Sequence, residues 1–253
     1  MLLVAMLLLA AALGAIGAGA ESMQPSALRL AVTAVLAALS LLFWPGVAHT
    51  HMHVAKHTAL RVLGWSLAVA LLAAVTLRVA GQATQTWPTI LRACALLWLM
   101  LVVAHALAAA LEWRLRSQGV ERQRVDGHAA REDAGRSVAM AMLLLGALPL
   151  WLGPLAELAS PAHEWAVDAA IAASPLTHLA VASGNDLLRN QWLYQHANLA
   201  ALQFSYPALA MLVWCYALAG LALALALLAW SWLRRGQRQA GTPPTPFDIE
   251  RAT

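Results

Sequence analysis

Six apolar stretches of roughly 20 residues make up most of this chain, over residues 2–20, 28–48, 62–80, 93–111, 137–158 and 206–233. That length is what an α-helix needs to cross the hydrocarbon core of a bilayer. Lipid offers no water to pair with backbone N–H and C=O groups, so a lone spanning segment must satisfy its own backbone, and only a helix does. No stretch alternates polar and apolar residues as a barrel strand would. The expected fold class is all-α: a polytopic membrane helical bundle of about six transmembrane helices. Composition agrees, with 61% apolar and 11% charged residues in 253, a balance too apolar for a water-soluble core.

Charge sets the expected orientation. The connection between the fourth and fifth stretches holds Arg114, Arg116, Arg122, Arg124, Arg131 and Arg136, and cytoplasmic loops of membrane proteins carry an excess of Lys and Arg. With that connection inside, alternation also puts Lys56, Arg61, Arg234, Arg235, Arg238 and Arg251 inside. Only Arg29, Arg78, Arg92 and Arg189 of the sixteen basic residues then fall outside. Both termini are expected in the cytoplasm. The basic residues are not interleaved with stacking aromatics, so a nucleic-acid partner is not expected; their counterpart is the membrane lipid. Fifteen of the sixteen are Arg, and with the Ala and Leu excess this points to a GC-rich bacterial genome and to the bacterial inner membrane. Trp44, Trp87, Trp113, Trp230 and Trp232 lie near stretch ends, where an indole keeps its polar edge wet.

The first stretch has two readings. Ala18-Gly19-Ala20 before Glu21 has the form of a signal-peptidase site, but no Lys or Arg precedes the apolar run, which favours a retained helix. The transmembrane domain is expected over residues 1–235, with an outer cap at 159–205 and a disordered, Pro-containing cytoplasmic tail at 236–253. Within the cap, residues 162–182 are semi-apolar yet contain His163, Glu164, Asp168, Pro175 and His178. A full crossing there would send Arg234 and Arg235 outside. An outer interfacial helix, or a re-entrant one broken at Pro175, fits better.

Candidate chemistry sits in three places. His49, His53 and His57 share a helical face at i, i+4, i+8 and have the ligand type for copper or zinc; the simpler reading is a cytoplasmic turn in which His and Lys meet headgroups. His105 lies mid-stretch among Val and Ala, where an ionisable group suggests a haem ligand or a proton relay, or a neutral imidazole bonded to a neighbouring helix. Asp186, Arg189, Trp192, Tyr194 and His196 form a mixed polar and aromatic group in the outer segment, suited to a substrate-facing or partner-facing cap or to an ordered loop over the bundle mouth. Cys94 and Cys215 both lie in apolar stretches and read as packing residues. No phosphate loop, nucleophile elbow or zinc-protease motif is present, so an enzyme is not expected and no resident cofactor is implied.

The element Ala173-Ser174-Pro175-Leu176-Thr177 follows the fifth stretch. With this layout it makes the chain resemble the membrane permease subunit of an ABC-2-type exporter. The resemblance implies six helices, both termini inside, short outer helices between the fifth and sixth spans, and a separate cytoplasmic ATPase partner. Two features depart from that pattern: the sequence starts directly in Leu2-Leu3-Val4 without an amphipathic elbow, and the inner connection after the second stretch is His-rich. The expected function is therefore a permease subunit of unknown substrate, acting as an oligomer. The alternative is a non-transporting accessory or assembly subunit of a membrane complex that handles metal or haem through His49, His53, His57 and His105.

Overall fold

The computed structural model describes residues 58–80, 86–119, 127–158, 164–184 and 205–240. They form α1 (Thr58–Ala80), α2 (Trp87–Gly119), α3 (Gly127–Leu158), α4 (Glu164–Ala173), α5 (Pro175–Ala182) and α6 (Leu209–Ala240). No strand occurs among the described residues. The stretches at 2–20 and 28–48, the cluster of His49, His53 and His57, and residues 241–253 of the tail lie outside them. By length and apolar content Trp87–Leu115 and Leu209–Ala226 can each cross a membrane, and the bent pair α4–α5 makes a third if counted as one span. Val62–Val75 of α1 is a shorter apolar helix.

Helix α2 is the axis of the bundle and packs on α1, α3, α5 and α6. Thr86 starts it, with its carbonyl accepting from the N–H of Thr89 at 3.1 Å and of Ile90 at 3.2 Å. Pro88 falls in the first turn, where its missing N–H has no helical partner to lose. Leu96, Met100, Leu101, Ala104 and Ala108 are fully enclosed. Against them pack Val69, Ala70 and Ala73 of α1, Val138 and Met142 of α3, Leu179 of α5 and Leu212 of α6. The many alanines at these contacts let backbones approach closely, which is how helices associate where no hydrophobic force separates protein from lipid.

Side-chain contacts fix the directions of the helices. Arg78 near the end of α1 lies over the Trp87 ring at 5.4 Å, and the Trp98 indole donates to the Leu63 carbonyl at 3.1 Å, so α1 and α2 are antiparallel. Arg131 of α3 donates to Glu112 of α2 at 3.3 Å, making α2–α3 a second antiparallel pair. Gly184, just past α5, lies against Thr89, at the start of α2. Arg114, Arg131 and Arg136 thus share one end of the bundle, while Arg78, Arg92 and the end of α5 lie toward the other.

Helix α6 rides on the outside. Only 6% of its candidate span is buried against 50% for α2, and Met211, Trp214, Leu218, Leu221 and Leu225 are all exposed. In water such an apolar stripe would drive association; in a bilayer it is an ordinary lipid-facing surface, compatible with a membrane protein.

Two of the ion pairs at the Arg-rich end differ in burial. Arg131 and Glu112 are 3% and 13% exposed, and burial pulls the Arg131 pKa down from its usual value, though an arginine keeps its charge. Arg136 and Glu132 pair one helical turn apart on the surface. Glu112→Ala is therefore expected to destabilise by about 3 kcal/mol, because it strands a buried cation. Arg136→Ala should cost about 0.5 kcal/mol or less. Thermal unfolding of the two variants in detergent checks this, and equal shifts would refute the distinction.

Candidate functional site: a broken helix inside the bundle

Ser174, Thr177 and His178, all buried, collect at the break between α4 and α5. Pro175 has no N–H and its ring clashes with the carbonyl four residues back, so a helix arriving from α4 must stop. The residue before a proline is pushed towards extended backbone, and Ser174 is extended, with φ −84° and ψ 114°. The helix restarts at Pro175 after a bend of 74°.

The break frees backbone groups, and side chains take them up. Ser174 Oγ accepts from the Thr177 N–H at 3.4 Å, capping α5, and donates to the Gly146 carbonyl of α3 at 3.0 Å. Thr177 Oγ1 lies 2.9 Å from the Ile171 carbonyl and 2.7 Å from that of Ser174, and its single hydrogen serves the two. The Ser174 N–H donates to the Ile171 carbonyl at 3.3 Å, and the His178 N–H to the Ser174 carbonyl at 3.2 Å. Ser174, Pro175 and Thr177 are fully enclosed. The pair can sit this deep because α3 has glycine at 146. A Cβ there would meet Leu176 Cγ at 3.0 Å and Cδ1 at 3.2 Å.

Helix α5 ends at Ser183, whose N–H donates to Leu179 O at 2.9 Å, and at Gly184, which takes φ +72°, a value that suits glycine. Gly146 lies twelve residues before the end of α3, so the break is about 18 Å in from that end of the helix. Gly184 returns to the start of α2, and Asp168 of α4 accepts from the Ser205 N–H ahead of α6 at 3.2 Å. The pair dips into the bundle and comes back to the same end.

His178 is the titratable group of α5 and is 4% exposed. Its Nδ1 lies 3.0 Å from the Tyr216 hydroxyl of α6, and the rings meet edge to face with centroids 5.8 Å apart. Its Nε2 is buried without a hydrogen bond. Among the described residues no charged side chain bonds to the imidazole.

Of the residues singled out from sequence, His105 is buried in α2 at 3% exposure. Val103 packs on Gly220, and Tyr216 lies one turn before Gly220, so His105 sits roughly 9 Å closer to the Glu112 end than Tyr216 does. The structure does not pair it with His178. Asp186, Arg189, Trp192, Tyr194 and His196 lie outside the described residues. Among the described residues no group of three or more His, Cys, Asp or Glu could hold a metal ion. Tyr216 escaped the sequence reading altogether, since nothing local marks it as a partner for a histidine 38 residues earlier. Ser174 and Thr177 were visible only as neighbours of Pro175. Compared with protein-family models, curated proteins and solved structures, the chain matches none.

The hydroxyls should count individually. Ser174→Ala removes the α5 cap and is expected to destabilise by about 1 kcal/mol. Thr177→Val keeps the shape and removes the hydroxyl shared by the Ile171 and Ser174 carbonyls, for a similar loss. Gly64 has open space around it, so Gly64→Ala should be neutral or stabilise by up to about 1 kcal/mol. Apparent melting temperatures of the three variants in one detergent test this ordering.

Proposed function

We propose that this chain is a permease-type subunit of a bacterial inner-membrane transporter, a six-span bundle with both termini in the cytoplasm, working with a separate cytoplasmic ATPase as an oligomer. The observation that carries the reading is the α4–α5 break buried against α3, through Ser174 and the Gly146 carbonyl. Non-helical backbone at membrane depth is tolerated where protein encloses it or where it lines a cavity, and discontinuous helices of this sort build substrate paths in transporters. An assembly subunit has no evident need for one.

The orientation follows from charge. Arg114, Arg131 and Arg136 gather at the α2–α3 turn, the end opposite the α4–α5 dip, so the positive-inside rule turns the dip to the periplasm as a re-entrant element. The cap residues Asp186, Arg189, Trp192, Tyr194 and His196 would then lie over the outer mouth. The Arg-rich connection, with Glu121, Arg122 and Arg124, would offer its charges to the ATPase.

Two measurements test this. Reporter fusions within residues 119–135 should be active in the cytoplasm and fusions near Asn185 in the periplasm; a periplasmic signal from the Arg-rich connection reverses the map. The protein purified from its own membranes should bring down an ATPase whose turnover it changes, and Arg122→Ala with Arg124→Ala should weaken that complex at least tenfold. A stable complex with redox subunits and no ATPase would overturn the permease reading.

A further inference from the structure

We propose that the His178–Tyr216 contact is a proton-sensitive latch that holds the α4–α5 pair closed on α6, and that acid on the side of the α4–α5 dip releases it. The proposal rests on the bundle being embedded in a membrane and is independent of any ATPase partner.

Three observations meet here. A hinge exists, since the chain bends by 74° at Ser174–Pro175. On the α5 side of that hinge, the polar side-chain bond to α6 is His178 Nδ1 to the Tyr216 hydroxyl. The imidazole beyond that bond is enclosed, and Nε2 has no hydrogen bond. The Ala172 carbonyl, freed by the break, comes near the imidazole without bonding Nε2.

Among the described residues, the elements packed on α5 supply no counter-ion. Helix α2 carries Arg92, Cys94 and His105 on its transmembrane part, α3 carries no titratable residue between Ser137 and Leu148, α4 carries Glu164 and Asp168, and α6 carries Cys215 and Tyr216, with Arg234, Arg235 and Arg238 only in its last turns. Tyr216 bonds to the imidazole, while Asp168 bonds to Ser205. A second proton on the ring would create a buried cation facing a phenol and a carbonyl dipole, and burial of an unpaired charge outweighs such neutral partners. The closed arrangement therefore excludes the proton. Swinging α5 away from α6 hydrates the ring, which then binds a proton at the ordinary histidine value of about 6.5. The sign follows: the closed form is favoured above that pH and loses its advantage below it, by at most about tenfold in the closed-to-open ratio per pH unit.

Full-length protein in nanodiscs of phosphatidylethanolamine and phosphatidylglycerol provides the test. Spin labels go on Val181→Cys of α5 and Ala219→Cys of α6 in a Cys94→Ala, Cys215→Ala background, and their distance distribution is read by pulsed electron resonance at pH 7.5 and pH 5.0. A longer distance should appear at pH 5.0, increased at least fivefold in population, and should be absent at both pH values in His178→Gln, which keeps an amide for Tyr216 but cannot titrate. Identical distributions at the two pH values, or a shift that persists in His178→Gln, overturn the latch. Should His178→Gln not fold, Tyr216→Phe serves instead: it is expected to show the longer distance already at pH 7.5, and a parent-like distribution there refutes the proposal. None of these readings changes if the ATPase partner proves absent.

Discussion

Everything in this bundle is subordinate to one requirement: a backbone N–H or C=O surrounded by apolar matter must find a partner inside the protein. Long helices meet it at no cost to side chains, which is why α2, α3 and α6 run to 33, 32 and 32 residues. Their surfaces are then free to be Leu, Ala and Val. Where the chain departs from the helix, at Ser174–Pro175, the requirement falls on hydroxyls. Ser174 and Thr177 answer it between them, and Ser174 does so while tying the break to α3. A break of this kind cannot sit in the membrane as a lipid-exposed loop. It must be enclosed, and enclosure is what gives it its place among α2, α3 and α6.

Enclosure in turn depends on small residues. Gly146 leaves room for Leu176, Gly220 for Val103, and the alanines of α2 let its neighbours approach closely. Helix α6 contributes far less to this core, presenting Leu212 and Tyr216 inward and its large apolar side chains outward. The asymmetry has a mechanical consequence. Helices α1, α2 and α3 are joined by interdigitated apolar faces, a π contact and a buried ion pair. By contrast, among the described residues the polar side-chain link from α5 to α6 is the His178–Tyr216 hydrogen bond. Movement, if the bundle has any, is cheapest at the α5–α6 seam.

Much of the architecture could be read before any coordinates. Apolar runs at 62–80, 93–111, 137–158 and 206–233 fall on α1, α2, α3 and α6, because a run of 20 apolar residues leaves the backbone no alternative. Of the two readings for residues 162–182, the one broken at Pro175 matches the bend between α4 and α5, since the missing N–H is a property of that residue alone. The limits of α2 were less legible. It extends past residue 111 through Glu112, Trp113 and Arg114, as charged residues with no apolar period, and Glu112 gains its partner from Arg131 on another helix. The site was the least legible part. Ser174 reaches a carbonyl 28 residues back and His178 a phenol 38 residues on, and pairings of that range leave no periodicity in the chain. His105 drew attention because an ionisable residue among Val and Ala stands out, whereas His178 shares a semi-apolar segment with His163, Glu164 and Asp168 and reads as part of an interfacial or re-entrant helix.

That difference shows where polarity inside a membrane bundle carries information. A lone imidazole on a continuous helix such as α2 has the backbone fully satisfied around it and need only find one neighbour. An imidazole just past a helix break stands among carbonyls that the break has released, beside hydroxyls already committed to them. Its own hydrogen bonding is then coupled to the geometry of the break: turning α5 changes the carbonyls, the phenol and the access of water together. For this reason His178 is better placed than His105 to convert a change in protonation into a change in shape. The residues that make it so, Ser174, Pro175 and Thr177, have no titratable group among them.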